Sequence, residues 1–224
     1  VWDNVVAARC MKQLDLLPFY QLKVGFHNST LHNAHSNMML IEDMMGHLLR
    51  ERNSVMPSID TARSRLSAGG IESGGFVMDA PSGLWRNAIE VDNSMEYPSV
   101  IITCNADPST KVNPDDYPDG YPFPVATTPL GRVYRQDIEG LMPSILRGLA
   151  GERDRVMSEM RQAYEAGDDT LGNRLKQRQR VMKENMNSWY GVLGSGRTEK
   201  TAGRPFRMVD GEIGSDITDI ARRH

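Results

Sequence analysis

Cysteine is scarce in this sequence, and what there is lies scattered. Cys10 and Cys104 stand far apart with no Cys-x-x-Cys pair. That argues against a disulfide framework or a cysteine zinc site and fits a reducing, cytoplasmic compartment. Long apolar runs are missing too: nothing approaches the ~18 residues a membrane-spanning helix needs. His-Glu-x-x-His is absent, and the glycine-rich stretch at 69–75 does not spell a phosphate loop. Neither charge sign dominates. Lys and Arg number 26 against 29 Asp and Glu, a net charge of −3. The molecule is no bulk polycation, so any affinity for nucleic acid must come from local basic patches.

Apolar residues make up 39% of the 224, enough for a core in one large domain or in parts of two. The chain opens on Val1 with no secretory signal pattern, and its last residues, DITDIARRH, still read as helix. A piece of something longer is expected.

The most informative stretch is RQRVMKENMNSWYGVLG, Arg178 to Gly194. At about 100° per residue, Leu171, Leu175, Met182, Met186 and Trp189 share one helical sector. Lys176, Arg180, Lys183 and Asn187 share another. Asp169 and Thr170 offer oxygens to cap its start, and Gly191 and Gly194 are expected to stop it. From Leu171 to Tyr190 there are five basic residues and one acidic residue. On the charge pattern alone a solvated charged face is favoured over a polyanion-gripping one, and that pattern does not settle the matter.

Residues 3–22 read as one helix with Val5, Val6, Cys10, Leu14 and Leu17 near one face, and Pro18 marks its approaching end. Met38–Leu49 is amphipathic, its methionines serving as adaptable core filler. His32 and His35 lack a third convergent ligand for zinc. Residues 85–92, WRNAIEVD, alternate as a strand that delivers Asp92 to its own end. Pro98 then opens a helix through VIITCN. Residues 112–135 are read as a solvated loop rich in Pro, Asp and Gly. A second long helix starts at Glu139, with Pro143 in its first turn. Its stripe is Met142, Ile145, Leu146, Leu149, Val156, Met160 and Tyr164. Arg153 falls inside that stripe, where a guanidinium needs a carboxylate or a phosphate to meet it. Ala166 to Asp169 turn the chain into an antiparallel hairpin, and a last helix covers Gly214–Arg223.

Lys183-x-x-x-Asn187-Ser188-x-Tyr190-Gly191 resembles the fingers motif of family B DNA polymerases. Asp92-x-x-x-x-Tyr97-Pro98-Ser99 resembles the palm motif of the same family, although Met95 and Glu96 depart from its usual Ser and Leu. NADPSTKV looks like the continuation of that motif. EGLMPSILRGLAGERDRVM is similar to the first fingers helix, with Met157 where a lysine is usual. Gly74-Gly75 matches a Tyr-x-Gly-Gly segment in which Glu72 replaces the tyrosine. Asp3 stands where a third exonuclease motif has its aspartate; an N-cap is its plain alternative.

The resemblance implies an α+β fold: a partial palm, made of a small antiparallel sheet with helices, carrying a two-helix fingers hairpin behind a helix-rich N-terminal segment. The expected division is 1–22 for the end of an exonuclease region, 23–75 for a helical connector and glycine linker, and 76–138 for palm. Fingers follow over 139–191, then a return into palm over 192–224. The implied activity is DNA-directed DNA polymerisation with two Mg²⁺ ions, primer–template DNA and dNTPs as partners, and no membrane; a sliding clamp is left open. Asp92 would be the catalytic metal ligand with the Asn93 carbonyl beside it. Tyr97 would lie under the sugar, and Arg153, Lys183 and Asn187 would meet the triphosphate. Tyr190 and Gly191 would pack on the nascent base pair, and Gly74 and Gly75 on the template. The Tyr-Gly-Asp-Thr-Asp sequence that carries the second metal aspartate is absent from the 224 residues. These residues alone are therefore expected to be inactive, and a non-catalytic nucleic-acid-binding relative stays open as the alternative.

Overall fold

The computed structural model describes residues 2–14, 16–61, 64, 82–84, 86–87, 89, 95–193 and 207–223. The expected strand at 85–92, Asp92, Asn93, Gly74 and Gly75 therefore lie outside the described residues, whether wholly or, for the strand, in most positions.

The described elements are α1 (Trp2–Gln13), α2 (Leu16–Phe26), α3 (Asn37–Glu51), α4 (Glu96–Cys104), β1 (Lys111–Val112), β2 (Val125–Thr127), β3 (Val133–Arg135), α5 (Leu141–Glu165), α6 (Asp169–Leu193) and α7 (Gly211–Arg223). The strands form one antiparallel sheet in the order β1-β3-β2, with Val112 opposite Val133 and Ala126 opposite Tyr134. Among the described residues no helix is long and apolar enough to cross a membrane.

Two helices form where the sequence predicts one over 3–22. Pro18 breaks that helix a turn before itself, because its ring clashes with the carbonyl four residues back, at Leu14. Pro18 then sits harmlessly in the first turn of α2. The expected apolar face stays exposed at Val5, Val6, Leu14 and Leu17, and α1 buries no residue. Asp3 lies inside the first turn of α1, which begins at Trp2.

Residues 112–135 are likewise not all loop. The Pro/Asp/Gly punctuation falls at 113–124 and again at Pro129 and Gly131, and the sheet is built from what flanks it: Lys-Val, Val-Ala-Thr and Val-Tyr-Arg. Strands of two or three residues are too short to show an alternating pattern, so only their β-branched content marked them.

α5 and α6 pair as the expected antiparallel hairpin. Gly167 takes φ 77 just past α5, with its own N–H bonded to Tyr164 O and that of Asp168 to Ala163 O, which is a Schellman turn. The α6 cap is one residue earlier than expected: Asp168, whose carboxylate accepts from Leu171 N at 2.9 Å. Gly191 does not stop α6, which runs through it to Leu193.

The main core gathers Ile41 and Met45 of α3, Ile101 of α4, Tyr134 of β3, Met142 and Leu146 of α5, Trp189 and Leu193 of α6, and Ile213 and Ile217 of α7. Each is fully buried, which stabilises the fold by about 1.5–3 kcal/mol per large aliphatic side chain. A smaller cluster of Val156, Ala163, Leu175 and Met182 zips the outer half of the hairpin.

Two polar hubs fix how these helices meet. The start of α5 has no local side-chain cap. Asp107, fully buried, serves instead: one carboxylate oxygen accepts from Met142 N at 3.0 Å, the other from Ser109 N and Oγ. Asn105, in the left-handed region at φ 55 beyond α4, donates to the carbonyls of Arg135 and Ile138 and accepts from Gly140 N. Asn105 and Asp107 of the NADPST stretch are thus the joint between α4, the sheet and α5. The second hub is Asp216 of α7, which accepts from Thr128 Oγ1, Arg132 Nη1 and Tyr134 OH at 2.9, 2.8 and 2.6 Å.

Candidate functional site

α6 separates its faces as its spacing dictates. Met182, Met186 and Trp189 are buried, while Lys176, Arg180, Lys183 and Asn187 are exposed. Leu171 is the one member of the apolar stripe left outside, at 42% exposure, because it lies in the first turn beyond the reach of the core. Lys183, Asn187 and Tyr190 recur at i, i+4 and i+7, so they share one side of the helix.

At the end of that row the two motifs meet. The ring of Tyr97, in the first turn of α4, stacks on the ring of Tyr190 with centroids 4.2 Å apart and planes 5° from parallel. The Tyr190 hydroxyl shares a 2.6 Å hydrogen bond with Thr218 Oγ1 of α7, which in turn donates to Gly214 O. Three helices distant in sequence are therefore fastened at one point. Such an aromatic pair contributes about 0.5–1.5 kcal/mol beyond its buried area.

Gly191 follows directly. A Cβ built there would meet nothing within 4 Å. A glycine inside a helix costs about 1 kcal/mol relative to alanine, and no packing contact of the described residues repays it.

Arg153 lies on the buried side of α5, as its place in the stripe predicts. Its Nε is buried and has no hydrogen-bond partner among the described residues. The neighbouring carboxylate, Glu152, is committed elsewhere, to Arg155 at 2.6 Å and across the hairpin to Arg178 at 2.8 Å. The hydrogen bond from Arg155 holds the Glu152 carboxyl below its usual range. The carboxylate that would explain Arg153 is thus absent from the described residues.

Sequence reasoning missed the residues behind this row. Asn185 is buried among the apolar side chains of α6 and hydrogen-bonds Trp189 Nε1 and His27 Nε2, both at 2.8 Å. Like Arg153 it is a polar residue within an apolar stripe, and that was its legible signal. Thr218 gave none. No group of three or more His, Cys, Asp or Glu among the described residues is placed to hold a metal ion.

A model of DNA polymerase family B matches residues 28–199, more than half of the chain. The chain belongs to DNA polymerase family B. It is 33% identical over 144 residues to a DNA polymerase of Thermococcus gorgonarius, covering 64% of this chain and 18% of that protein. To DNA polymerase 1 of Pyrococcus abyssi it is 33% identical over 121 residues, 54% of this chain and 15% of that one. The chain therefore spans less than a fifth of these relatives' length. In fold it resembles the family B DNA polymerase of the hyperthermophilic archaeon Pyrobaculum calidifontis, with a TM-score of 0.64 at 21% identity, over 93% of this chain and 26% of that one.

Proposed function

We propose that this segment is the nucleotide-gripping part of a DNA-directed DNA polymerase: α5 and α6 as fingers, and the sheet with α4 and α7 as part of the palm. The observation that carries the reading is the Tyr97–Tyr190 stack, which joins the two motif-bearing helices at the end of an exposed Lys183/Asn187 row.

Lys183 neutralises charge on the triphosphate of a bound dNTP, Asn187 orients it, and Arg153 adds a fork of donors. Tyr97, beneath the sugar, leaves no room for a 2′-hydroxyl and so selects deoxynucleotides. Tyr190 and the bare helix surface at Gly191 receive the nascent base pair, and Gly74 and Gly75 approach the template. Asp92 and the Asn93 carbonyl would hold Mg²⁺, a hard cation that takes one or two carboxylates plus substrate phosphates. Bound there, the metal supplies Lewis-acid activation of the reacting oxygens. The Tyr-Gly-Asp-Thr-Asp sequence expected to carry the other carboxylate is not among these 224 residues.

The test is primer extension by the longest natural polypeptide that carries this sequence. Lys183→Ala should raise the dNTP KM by about 10- to 100-fold, the worth of one charge-assisted bond to phosphate. Asp92→Ala should abolish extension while sparing DNA binding. A wild-type protein that binds DNA but extends no primer would replace this reading with the non-catalytic one.

A further inference from the structure

Asn185 is the anomaly on the inner side of α6, and its hydrogen bonds have only one consistent solution. His27 is 2% exposed, and its Nδ1 lies 2.7 Å from Lys23 O. A carbonyl only accepts, so Nδ1 carries the proton and Nε2 is bare. Nε2 must then accept from the Asn185 amide N–H, which leaves the Asn185 oxygen to accept from the Trp189 indole. The string runs Trp189 to Asn185 to His27 to Lys23, with every donor pointing the same way.

A second string starts from the same lysine. Lys23 Nζ donates to Asn37 Oδ1 at 2.7 Å, and Asn37 Nδ2 donates to Ser188 Oγ at 2.8 Å. Ser188 Oγ donates in turn to Glu184 O. The two strings tie the end of α2 and the start of α3 to α6 at positions 185 and 188, with Trp189 bonded to Asn185 from within α6. These interleave with Lys183, Asn187 and Tyr190.

Apolar packing is non-directional, so a stripe of methionines fixes the rotation of a helix only loosely. A buried, fully satisfied polar network admits one arrangement. A side-chain tip about 6 Å from the axis moves about 2 Å when the helix turns by roughly 20°. A misplacement of only 1 Å is worth up to about 100-fold in rate.

We propose that His27 and Asn185, backed by the Lys23–Asn37–Ser188 string, form a positioning latch that sets the rotation of α6 and so aims Lys183 and Asn187 at the bound nucleotide. The inference rests on the polymerase reading above, and its residues touch neither substrate nor metal.

The experiment is steady-state primer extension by the longest natural polypeptide carrying the sequence, with urea unfolding to establish that each variant is folded. His27→Leu removes both the donor and the acceptor, and it should raise the dNTP KM about 10-fold with kcat within about 3-fold. His27→Gln puts a side-chain carbonyl near the place of Nε2, so its KM should return to within about 3-fold of wild type. Asn185→Leu should match His27→Leu, and the double variant should be no worse than either single one. A purely structural role would lower stability and the active fraction without moving KM. Should His27→Leu fail to fold, Asn37→Ala tests the exposed arm, with an expected KM rise of about 3-fold. An active wild type with unchanged KM in His27→Leu, or in Asn37→Ala where that variant stands in, overturns the latch alone. So does a His27→Gln as impaired as His27→Leu. A wild type that extends no primer overturns the polymerase reading and the latch's aim with it.

Discussion

Asp216 offers the sharpest perturbation of the scaffold. Its carboxylate is 1% exposed and accepts three hydrogen bonds, one of them from the Arg132 guanidinium. Asp216→Asn keeps the size but removes the charge and turns one acceptor into a donor. Hydrogen bonds to a charged group are worth about 1.5–3 kcal/mol against about 0.5–1.5 for neutral ones, so the Arg132 contact loses about 1–2 kcal/mol. Tyr134 must turn its hydroxyl to accept from the new amide, which costs roughly 1 kcal/mol more. Arg132 keeps the weaker partner Glu212 at 3.8 Å, which limits the damage. The sum, about 2–3 kcal/mol, should appear as a local loss: hydrogen-exchange protection in α7 and β3 should fall about 30- to 150-fold. Arg132→Leu in the Asp216→Asn background should then cost less than Arg132→Leu alone, by about 1 kcal/mol or more. A protection change below about 3-fold, or strictly additive substitutions, would show that Asp216 does not hold α7 to the sheet.

Gly140→Ala should destabilise by about 1–3 kcal/mol in denaturant unfolding, as overpacking does. The backbone there (φ −64, ψ 152) accepts alanine, but the new methyl would lie 2.6 Å from buried Asp107 Cβ, so a neutral result would refute the rigidity of that joint. Burial holds the His27 pKa below 6.5, with the Lys23 ammonium also pushing it down, while the Lys23 carbonyl bond and Asp43 oppose the shift. The unfolded chain therefore binds the proton first. The stabilisation is complete above about pH 6.5 and is lost as pH falls from there through the lower folded value, with a limiting slope of about 1.4 kcal/mol per pH unit. His27→Gln should flatten that acid limb in urea titrations, and an unchanged limb would count against a buried neutral His27. Gly191→Ala should raise stability by about 0.5–1 kcal/mol yet impair primer extension, whereas Gly148→Ala, equally open and exposed, should give the stability gain alone. Equal activity in both would remove Gly191 from the DNA-facing surface.

The sequence made the long helices legible because their apolar residues repeat over many turns. The buried face of α6, the exposed Lys183 and Asn187, and the hairpin turn were all readable from spacing alone. Errors fell where one residue carried the signal. Pro18 ended a helix four residues before itself, and Gly191 looked like a stop because a glycine near a helix end usually is one. The strands at 125–127 and 133–135 gave too few residues for a period to emerge.

The joints between elements were less legible for a different reason. Capping rules look one to three residues away, but α5 is capped by Asp107, and Asn105 bonds the backbone of residues 135, 138 and 140. Nothing local reveals a partner that far along the chain. What does show locally is misfit: Arg153 and Asn185 are both polar residues on stripes that should be apolar. The structure gives the two opposite resolutions. Asn185 is satisfied from within the protein by His27 and Trp189, so its misfit serves the scaffold. Arg153 keeps a buried N–H with no partner among the described residues. A buried donor left bare costs about 1–3 kcal/mol, so on the function proposed above Arg153 is the misfit that the nucleotide's phosphate would resolve.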